Sequence, residues 1–348
     1  MDNKKYCIIM AGGIGSRFWP LSTEGQPKQF LDIMGSGKSF IRATFERFLP
    51  VVPLENFLVV TSAVYRDQVL EHLPELSPSQ VLLEPMRRNT APCIAYASFR
   101  IQALCPEAQV VVTPADHFVL DNREFQRVME LGLDYVSTHD TLLTVGIKPS
   151  RSETGYGYIQ LGTQAQDEVF NIRSFKEKPS LDLAKEYLLS GDYMWNSGIF
   201  LWSNQTILGE FSRQLPDIYS LFSSGSYACD SEQAFIDSIY PDCQSISIDY
   251  GVMEGAHSCS VIPADFGWSD IGTWGSLYTH LAKDSHSNGS VGADVVFEDS
   301  SNCIVHLPEG DRAVVQGLDG YLVAYRSGKL IVCELEQEQQ IKNWIEKF

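Results

Sequence analysis

The first 150 residues alternate short apolar runs with longer amphipathic stretches, and this alternation restricts the fold more than any other feature. It is typical of parallel strands joined by crossover helices, because a strand covered on both faces is apolar throughout. Strands are predicted at Tyr6–Met10, Phe57–Thr61, Val81–Glu84, Val110–Thr113 and Leu142–Ile147. Helices are predicted at Ser39–Leu49, Val64–Leu73, Ala91–Leu104 and Arg123–Ser137, where apolar residues recur at helical spacing. The predicted fold class is therefore α/β, with a Rossmann-like doubly wound sheet.

The pattern of residue types changes at about residue 285. Before this point, a helix is predicted at Leu181–Leu189 and an apolar strand at Gly198–Trp202. After it, short β-like runs are separated by Asn, Asp and Gly, and a helix is predicted near Gln337–Lys347. We therefore predict a large α/β domain at 1–285 and a small β-rich C-terminal extension at 286–348. The segment Pro149–Tyr158, rich in Gly, Ser and Tyr, is predicted to be a mobile loop over a binding site.

Charge and cysteine usage exclude several classes of protein. The chain has 26 Lys and Arg against 44 Asp and Glu, a net charge of −18 that opposes binding to nucleic acid or an anionic bilayer. No run approaches the roughly 18 apolar residues of a membrane span, and the N-terminal residues lead directly into a strand. We expect a cytoplasmic protein without nucleic-acid or membrane partners. The eight cysteines contain no C-x-x-C pair and are predicted to be reduced thiols.

The motif AGGIGSRFWPLS, followed by PKQF, comes directly after the first predicted strand. Gly12, Gly13 and Gly15 allow a tight turn whose N–H groups can approach an anion. Arg17 and Lys28 add fixed positive charge. This composition indicates a phosphate-binding loop.

Two better-known phosphate motifs do not match this sequence. A dinucleotide fingerprint would require a third glycine where the chain has Phe18. The triphosphatase motif suggested by GSGKS at 35–39 would require glycine where the chain has Asp32. An NAD-dependent oxidoreductase therefore suits the sheet but lacks its characteristic motif.

Two further segments follow predicted strands. Ligands of doubly wound sheets bind beyond the carboxyl ends of the strands, so Ala11–Arg17, Glu84–Thr90 and Pro114–His117 are expected to converge on one crevice. Asp116 offers a hard oxygen ligand there, suited to Mg²⁺ bridging substrate phosphates. The alternative is that Asp116 caps a turn.

These motifs resemble the nucleotidyltransferases that make sugar nucleotides, and within them the mannose-1-phosphate guanylyltransferases, over residues from about 5 to 280. The resemblance implies the mixed sheet of the nucleotide-diphospho-sugar transferase type. It also implies that mannose 1-phosphate and GTP give GDP-mannose and pyrophosphate, with Mg²⁺ or Mn²⁺. In that family the glycine-rich loop and its arginine wrap the triphosphate, and the lysine contacts phosphate. Gly12, Gly13, Gly15, Arg17 and Lys28 occupy those positions here.

The segment EPMRRNTAP resembles the guanine-binding loop of these enzymes. The resemblance implies that Glu84, Asn89, Thr90 and Ala91 contact the nucleotide. From the residues alone, a capped start of a helix is the favoured interpretation, and the resemblance reverses this. Which group meets which edge of the base stays open.

Two aspartates are implied as metal ligands. One is Asp116, and the second, Asp270, comes from the segment FGWSDIGTW. The resemblance pairs them, because spacing alone cannot join residues so far apart in the chain. The implied catalytic residues are therefore Arg17, Lys28, Asp116 and Asp270.

Three segments, GYGY, FKEKP and WNSGIF, resemble the sugar-binding segments of the family. The resemblance implies that Glu177 and Asn196 hold mannose hydroxyls, that Lys178 meets the sugar phosphate, and that Gly157 lets the loop backbone approach. A carboxylate and an amide provide the acceptors and donors that hexose hydroxyls require. Asp249 either supports this site or orders the start of a helix.

Other functions remain open at this point. Within the same class, the chain could transfer a uridylyl, thymidylyl or adenylyl group to glucose 1-phosphate, or GMP to another sugar phosphate. A non-catalytic binding protein on the same fold would be expected to have lost Lys28 or one of the two aspartates. The expected partners are GTP, mannose 1-phosphate and a second copy of the chain in a homodimer. The chain ends too early for an added isomerase domain, so a single activity is predicted.

Overall fold

The computed structural model describes residues 4–13 and 15–347, and its largest sheet has nine strands. Residue contacts divide the chain into two compact units. The first unit comprises the described residues of segments 1–12, 45–115 and 119–268. The second unit comprises those of segments 13–44, 116–118 and 269–348.

The nine-stranded sheet belongs to the first unit. Its strands are β1 (Lys5–Met10), β2 (Phe57–Ser62), β3 (Val81–Glu84), β4 (Gln109–Pro114), β5 (Leu142–Ile147), β6 (Tyr158–Gln166), β7 (Val169–Lys176), β8 (Tyr193–Ser203) and β9 (Cys259–Ala264). They are ordered β3-β2-β1-β4-β8-β5-β9-β7-β6, and β8 also pairs with β6. β1 to β4 run parallel to one another, whereas β8 is antiparallel to both β4 and β5. The predicted mixed, doubly wound sheet is confirmed.

The pairing of β1 with β2 and with β4 brings the ends of these strands to one edge of the sheet. Met10 at the end of β1 lies opposite Val60 on β2 and Pro114 on β4. Beyond the sheet, the amide of Ala11 donates to Val60 O at 2.8 Å, and the amide of Ala115 donates to Met10 O at 3.0 Å. The segments that follow β1 and β4 therefore leave the sheet at the same edge.

Helices lie between the strands along the chain and near its end. The α-helices are α1 (Phe40–Phe48), α2 (Arg66–His72), α3 (Thr90–Leu104), α4 (Asn122–Val136), α5 (Leu181–Ser190), α6 (Asn204–Gln214), α7 (Pro216–Ser223), α8 (Glu232–Ile239), α9 (Ile248–Gly251), α10 (Trp274–His280) and α11 (Ile341–Ile345). Short 3₁₀ helices occupy Ser16–Phe18, Lys28–Phe30, Leu54–Asn56, Ala63–Tyr65, Pro78–Gln80, Tyr240–Asp242, Met253–Gly255 and Leu335–Gln340. The start of α4 is fixed by Asp121, whose carboxylate accepts from the amides of Arg123 and Glu124.

The second unit is built on short strands. They are β10 (Gly289–Val291), β11 (Asp294–Glu298), β12 (Ile304–His306), β13 (Arg312–Gln316), β14 (Tyr321–Arg326) and β15 (Lys329–Glu334). Two further strands of two residues, Phe118–Val119 and Trp268–Ser269, lie where the chain passes from one unit to the other. The predicted β-rich character of the C-terminal segment is confirmed.

One apolar cluster contains residues from each of the distant chain segments that form the second unit. Phe18, Ile271, Ile304 and Ile341 are almost fully buried and belong to this cluster. Burying such side chains together contributes about 1.5 to 3 kcal/mol each. The two compact units therefore group the chain differently from the predicted domains 1–285 and 286–348, and that division stays a prediction.

Two further observations concern the cysteines and the length of the helices. All eight cysteines lie in the described part of the chain and are free thiols. Among residues 4–13 and 15–347, no helix combines the length and the apolar character that a membrane crossing requires.

Candidate active site

A pocket of about 260 Å³ lies in the second unit. Its lining consists of Gly15, Ser16, Arg17, Phe18, Lys28, Asp116, His117, Asp270, Gly272 and Lys342. The four predicted catalytic residues come from three distant segments, and the fold brings all four to this pocket. Two carboxylates and a basic, glycine-containing turn thus share one concave surface.

Lys28 joins the two aspartate segments. It is 3% exposed, and its ammonium group donates to the carbonyl of Asp116 at 3.0 Å, to Asp116 Oδ2 at 2.9 Å and to the carbonyl of Asp270 at 2.6 Å. An ammonium group has three donors, so these bonds satisfy it. The ring of Phe40, with its centroid 4.9 Å from Nζ, adds a cation–π contact. In this structure Lys28 positions both aspartates, a role that its position in the sequence motif did not indicate.

Gly15 makes room for Lys28. Its φ of +71° lies in the left-handed region, which glycine adopts without steric cost. A Cβ at this position would lie 2.5 Å from the Cβ of Lys28. The turn that carries Arg17 therefore needs glycine here for two reasons, its backbone conformation and its close approach to Lys28.

The two carboxylates fit a divalent cation by their chemistry. Burial would raise the pKa of Asp116, but the positive charges of Lys28 and His117 outweigh it, and the pKa lies below its ordinary value. Asp270 Oδ1 accepts from the amide of Gly272 at 3.0 Å. Among the described residues, no group of three or more His, Cys, Asp or Glu side chains could hold a metal ion. A hard cation such as Mg²⁺ commonly uses one or two carboxylates and takes further ligands from phosphates and water.

The backbone next to Asp270 is strained. Ile271 has a φ of +41°, which is unfavourable for a β-branched residue. Its side chain is fully buried in the apolar cluster with Phe18 and Trp274, and its amide donates to Ser269 Oγ at 3.1 Å. Such strain costs on the order of 1 to 3 kcal/mol and persists only where surrounding structure imposes it. Burial of Ile271 therefore holds Asp270 in place.

The predicted sugar-binding residues lie together in the first unit. The amide of Asn196 donates to the carbonyl of Gly157 at 2.8 Å, and Lys178 Nζ donates to Glu177 Oε1 at 2.6 Å. A Cβ on Gly157 would lie 2.3 Å from Glu177 Oε2, so a side chain at this position would displace the Glu177 carboxylate. Asn196 Nδ2 also donates to Asp249 Oδ1 at 2.8 Å. The set therefore includes Asp249, whose role the sequence had left open.

The charged side chains of this set shift one another's pKa values. Burial and the negative charge of Glu177 raise the pKa of Asp249 to about 6. Burial alone would lower the pKa of Lys178, but the hydrogen bond and charge of Glu177 raise it above its ordinary value. The ammonium group of Lys178 thus stays charged beside two carboxyl groups, and the three side chains offer both donors and acceptors to a polar ligand.

The first predicted nucleotide-binding residues lie at the ends of β1 and β3. Glu84 is 7% exposed, and its carboxylate accepts a hydrogen bond from the hydroxyl of Tyr240. Burial raises the pKa of Glu84 to about 7, although the bond to Tyr240 opposes the shift. A Cβ on Gly12 would lie 3.5 Å from Glu84 Oε2. Gly12 and Glu84 are therefore neighbours, as the resemblance implied for two nucleotide-binding positions.

The remaining members, Asn89, Thr90 and Ala91, form the start of α3. Asn89 caps the helix, because its side chain accepts from the amide of Thr90 at 2.9 Å, and its φ of +67° marks a strained backbone. The hydroxyl of Thr90 accepts from the amide of Ile248 at 2.8 Å, and the amide of Ala91 donates to Ile246 O at 3.1 Å. These contacts tie the helix start to the segment that leads into Asp249.

Comparison with known proteins identifies the class. Residues 6–287 match the nucleotidyl transferase family. A mannose-1-phosphate guanylyltransferase of Salmonella montevideo is 36% identical across 98% of this chain and 73% of its own length. The alginate biosynthesis protein AlgA of Pseudomonas aeruginosa is 36% identical across 97% of this chain and 70% of its own length.

A solved structure agrees with these matches. It is described as a mannose-1-phosphate geranyltransferase from Thermus thermophilus, with a TM-score of 0.88, 31% identity and coverage of 99% of both chains. The chain belongs to the nucleotidyl transferase family and is an enzyme of that class. Within the family, these relatives confirm the resemblance to the mannose-1-phosphate guanylyltransferases that the motifs had indicated.

Proposed function

We propose that this enzyme transfers GMP from GTP to mannose 1-phosphate and releases GDP-mannose and pyrophosphate. The names of its relatives support the choice of substrates. The observation that carries the proposal is the pocket itself, where Arg17, Lys28, Asp116 and Asp270 meet. Cations and metal-binding carboxylates on one surface suit phosphoryl chemistry, in which positioning and electrostatic stabilisation supply most of the catalysis.

The reaction is an in-line displacement at the α-phosphorus of GTP. A phosphate oxygen of mannose 1-phosphate attacks this phosphorus and forms a new P–O bond. The bond between the α-phosphorus and the oxygen bridging to the β-phosphate breaks, and its electron pair leaves with pyrophosphate. A phosphomonoester has a second pKa of about 6, so the nucleophile is mostly dianionic at pH 7 and no general base is required.

The residues of the pocket lower the barrier by reducing repulsion between anions. Arg17 neutralises charge on the polyphosphate, and Lys28 holds Asp116 and Asp270 in position. Asp116 and Asp270 would hold Mg²⁺ or Mn²⁺, which neutralises the phosphates and the charge that develops on the leaving group.

The nucleotide is assigned to residues after β1 and β3. Gly12, Gly13 and Gly15 would face the phosphates, while Glu84 and the start of α3, Asn89–Ala91, would face guanine. Guanine offers N–H donors on its pairing edge, and the carboxyl group of Glu84 next to Gly12 is a suitable acceptor.

The sugar phosphate is assigned to Gly157, Glu177, Lys178 and Asn196. Glu177 and Asn196 would bind mannose hydroxyls and Lys178 would bind the phosphate. The contacts among these residues support a preformed site, because each is held by at least one of the others. The cytoplasmic location and the homodimer stay predictions.

Substrate choice is tested with a panel of substrates. Pyrophosphate release is measured for GTP, UTP, dTTP and ATP, each combined with mannose, glucose and fucose 1-phosphate. We expect kcat/KM for GTP with mannose 1-phosphate to exceed every other pair by at least about 10-fold, a difference of about 1.4 kcal/mol. Higher kcat/KM for UTP, dTTP or ATP with glucose 1-phosphate would instead assign the enzyme to another branch of the family.

Replacing Gly157 with alanine tests the sugar site. The added Cβ would approach Glu177 Oε2 to 2.3 Å and the Cβ of Asn196 to 3.2 Å, so both side chains must move. We expect kcat/KM for mannose 1-phosphate to fall by about 10- to 100-fold, the usual cost of misplacing a reactant. KM for GTP is expected to change less than about twofold, and steady-state kinetics with each substrate varied in turn will measure both.

Gly209→Ala is the matched control. Gly209 lies within α6, and its added Cβ would meet no described heavy atom within 4 Å. Alanine also favours a helix over glycine, so this variant should keep wild-type kinetics. If Gly157→Ala raised the two KM values equally, the assignment of this set to the sugar phosphate would be wrong.

A further inference from the structure

The C-terminal helix brings another cation to the pocket of the second unit. Lys342 lies on α11 and lines this pocket together with Arg17, Lys28 and Asp116. The sequence placed Lys342 in the predicted C-terminal extension, where no catalytic residue was predicted. The pocket instead includes a residue from nearly the last turn of the chain.

The helix that carries Lys342 is held in position by its neighbours. Ile341 is fully buried in the apolar cluster that contains Phe18, the residue after Arg17, and Trp344 packs against the same cluster. α11 also contacts the 3₁₀ turn Ser16–Phe18. Because these contacts anchor the helix beside the basic turn, the approach of Lys342 to the pocket is part of the fold.

A second contact fixes the segment that precedes α11. Glu338 accepts a hydrogen bond from the amide of Gly275, in the first turn of α10, at 2.9 Å. α10 begins four residues after Asp270. The positive charge of Arg17 acts to lower the pKa of Glu338, although burial raises it overall. The C-terminal segment is thus held against the parts of the second unit that carry Arg17 and Asp270.

Lys342 gives the pocket lining an excess of positive charge. The lining has three cationic side chains, Arg17, Lys28 and Lys342, against the carboxylates of Asp116 and Asp270. Lys28 already donates to both aspartate segments. Without Lys342 the formal charges of the lining would cancel, whereas a polyphosphate carries negative charge on every phosphate group. Besides a cation held by the two aspartates, Arg17 and Lys342 are therefore the side chains left to neutralise an anion directly.

We propose that Lys342 binds the β- and γ-phosphates of GTP before transfer and the pyrophosphate that they form after it. This rests on the proposed function for the identity of the nucleotide. An ammonium group on a flexible stem suits phosphate as a point charge. The residues assigned to the sugar phosphate belong to the first unit, whereas every lining residue of this pocket belongs to the second.

The test compares Lys342→Met and Lys342→Arg with the wild-type enzyme. Loss of one charge-assisted hydrogen bond should raise KM for GTP in synthesis, and for pyrophosphate in the reverse reaction, by about 10-fold. KM for mannose 1-phosphate and GDP-mannose should change less than about twofold, because neither carries the phosphates that Lys342 binds. Lys342→Arg keeps the charge and should recover most of the affinity. Equal increases in all four KM values would overturn the proposal.

Lys347→Met is the matched control on the same segment, since Lys347 is exposed and does not belong to the described pocket lining. Titration calorimetry of Mg²⁺-pyrophosphate separates this proposal from the proposed function. About 10-fold weaker binding by Lys342→Met, with Lys347→Met unchanged, supports the role of Lys342 even if the wild-type enzyme fails to use GTP with mannose 1-phosphate. Pyrophosphate binding that is equal in Lys342→Met and wild type would overturn it.

Discussion

Replacing Asp116 with asparagine is expected to lower kcat by about 1000-fold or more. The substitution removes the negative charge that would hold a divalent cation, and preorganised electrostatic groups of this kind are worth about 10²- to 10³-fold each. Asparagine keeps the size of the side chain and an oxygen that can accept from Lys28 Nζ, now 2.9 Å from Asp116 Oδ2. The fold should therefore survive. Pyrophosphate release measures kcat, and thermal unfolding measures stability.

Two comparisons sharpen this prediction. Asp294→Asn changes an exposed aspartate on β11 and should leave kcat unchanged. Asp270→Asn should cause a loss similar to that of Asp116→Asn if both carboxylates bind one cation. Near-normal kcat in Asp116→Asn would refute the assignment of this residue to the metal.

Lys28→Met is expected to lower both kcat and stability. Methionine removes the ammonium group that donates to the Asp116 carboxylate and to the carbonyls of Asp116 and Asp270. Breaking a buried ion pair costs about 3 to 5 kcal/mol. We expect the lower end of this range, because Asp116 retains 34% side-chain exposure and thus some solvation. kcat should fall by about 1000-fold, since both aspartates lose their common anchor.

A double-mutant cycle distinguishes positioning from an independent contribution. If Lys28 acts through the aspartates, Lys28→Met combined with Asp116→Asn should be little worse in kcat than either variant alone. Losses that multiply would show that Lys28 contributes separately. Lys329→Met, at the exposed start of β15, is the control and should match the wild-type enzyme in both kcat and unfolding.

Apolar runs were sufficient to predict most of the sheet. The strands at Val81–Glu84 and Leu142–Ile147 have the predicted bounds, because each is apolar or buried along its length and ends at a turn. The strand predicted at Gly198–Trp202 is instead Tyr193–Ser203. Its first half contains Asn196 and other polar residues, which join the sheet through pairing with β5 and β6 and not through an apolar pattern.

The site divides in a similar way. Residue type and family resemblance pointed to Arg17, Lys28, Asp116 and Asp270, and the pocket contains all four. Neither source indicated that Lys342 lines the same pocket. A single lysine near the end of a chain carries no local signal of what it faces.

By itself, the sequence determined the class of fold and the chemical types of the groups available for phosphate and metal. Local patterns can do this because they record burial and charge one residue at a time. Only the tertiary structure decided that Lys28 bonds to both aspartate segments, that burial holds Ile271, next to Asp270, in a strained backbone, and that α11 lies beside Arg17. These contacts join segments far apart in the chain, and their geometry depends on how a common apolar cluster packs.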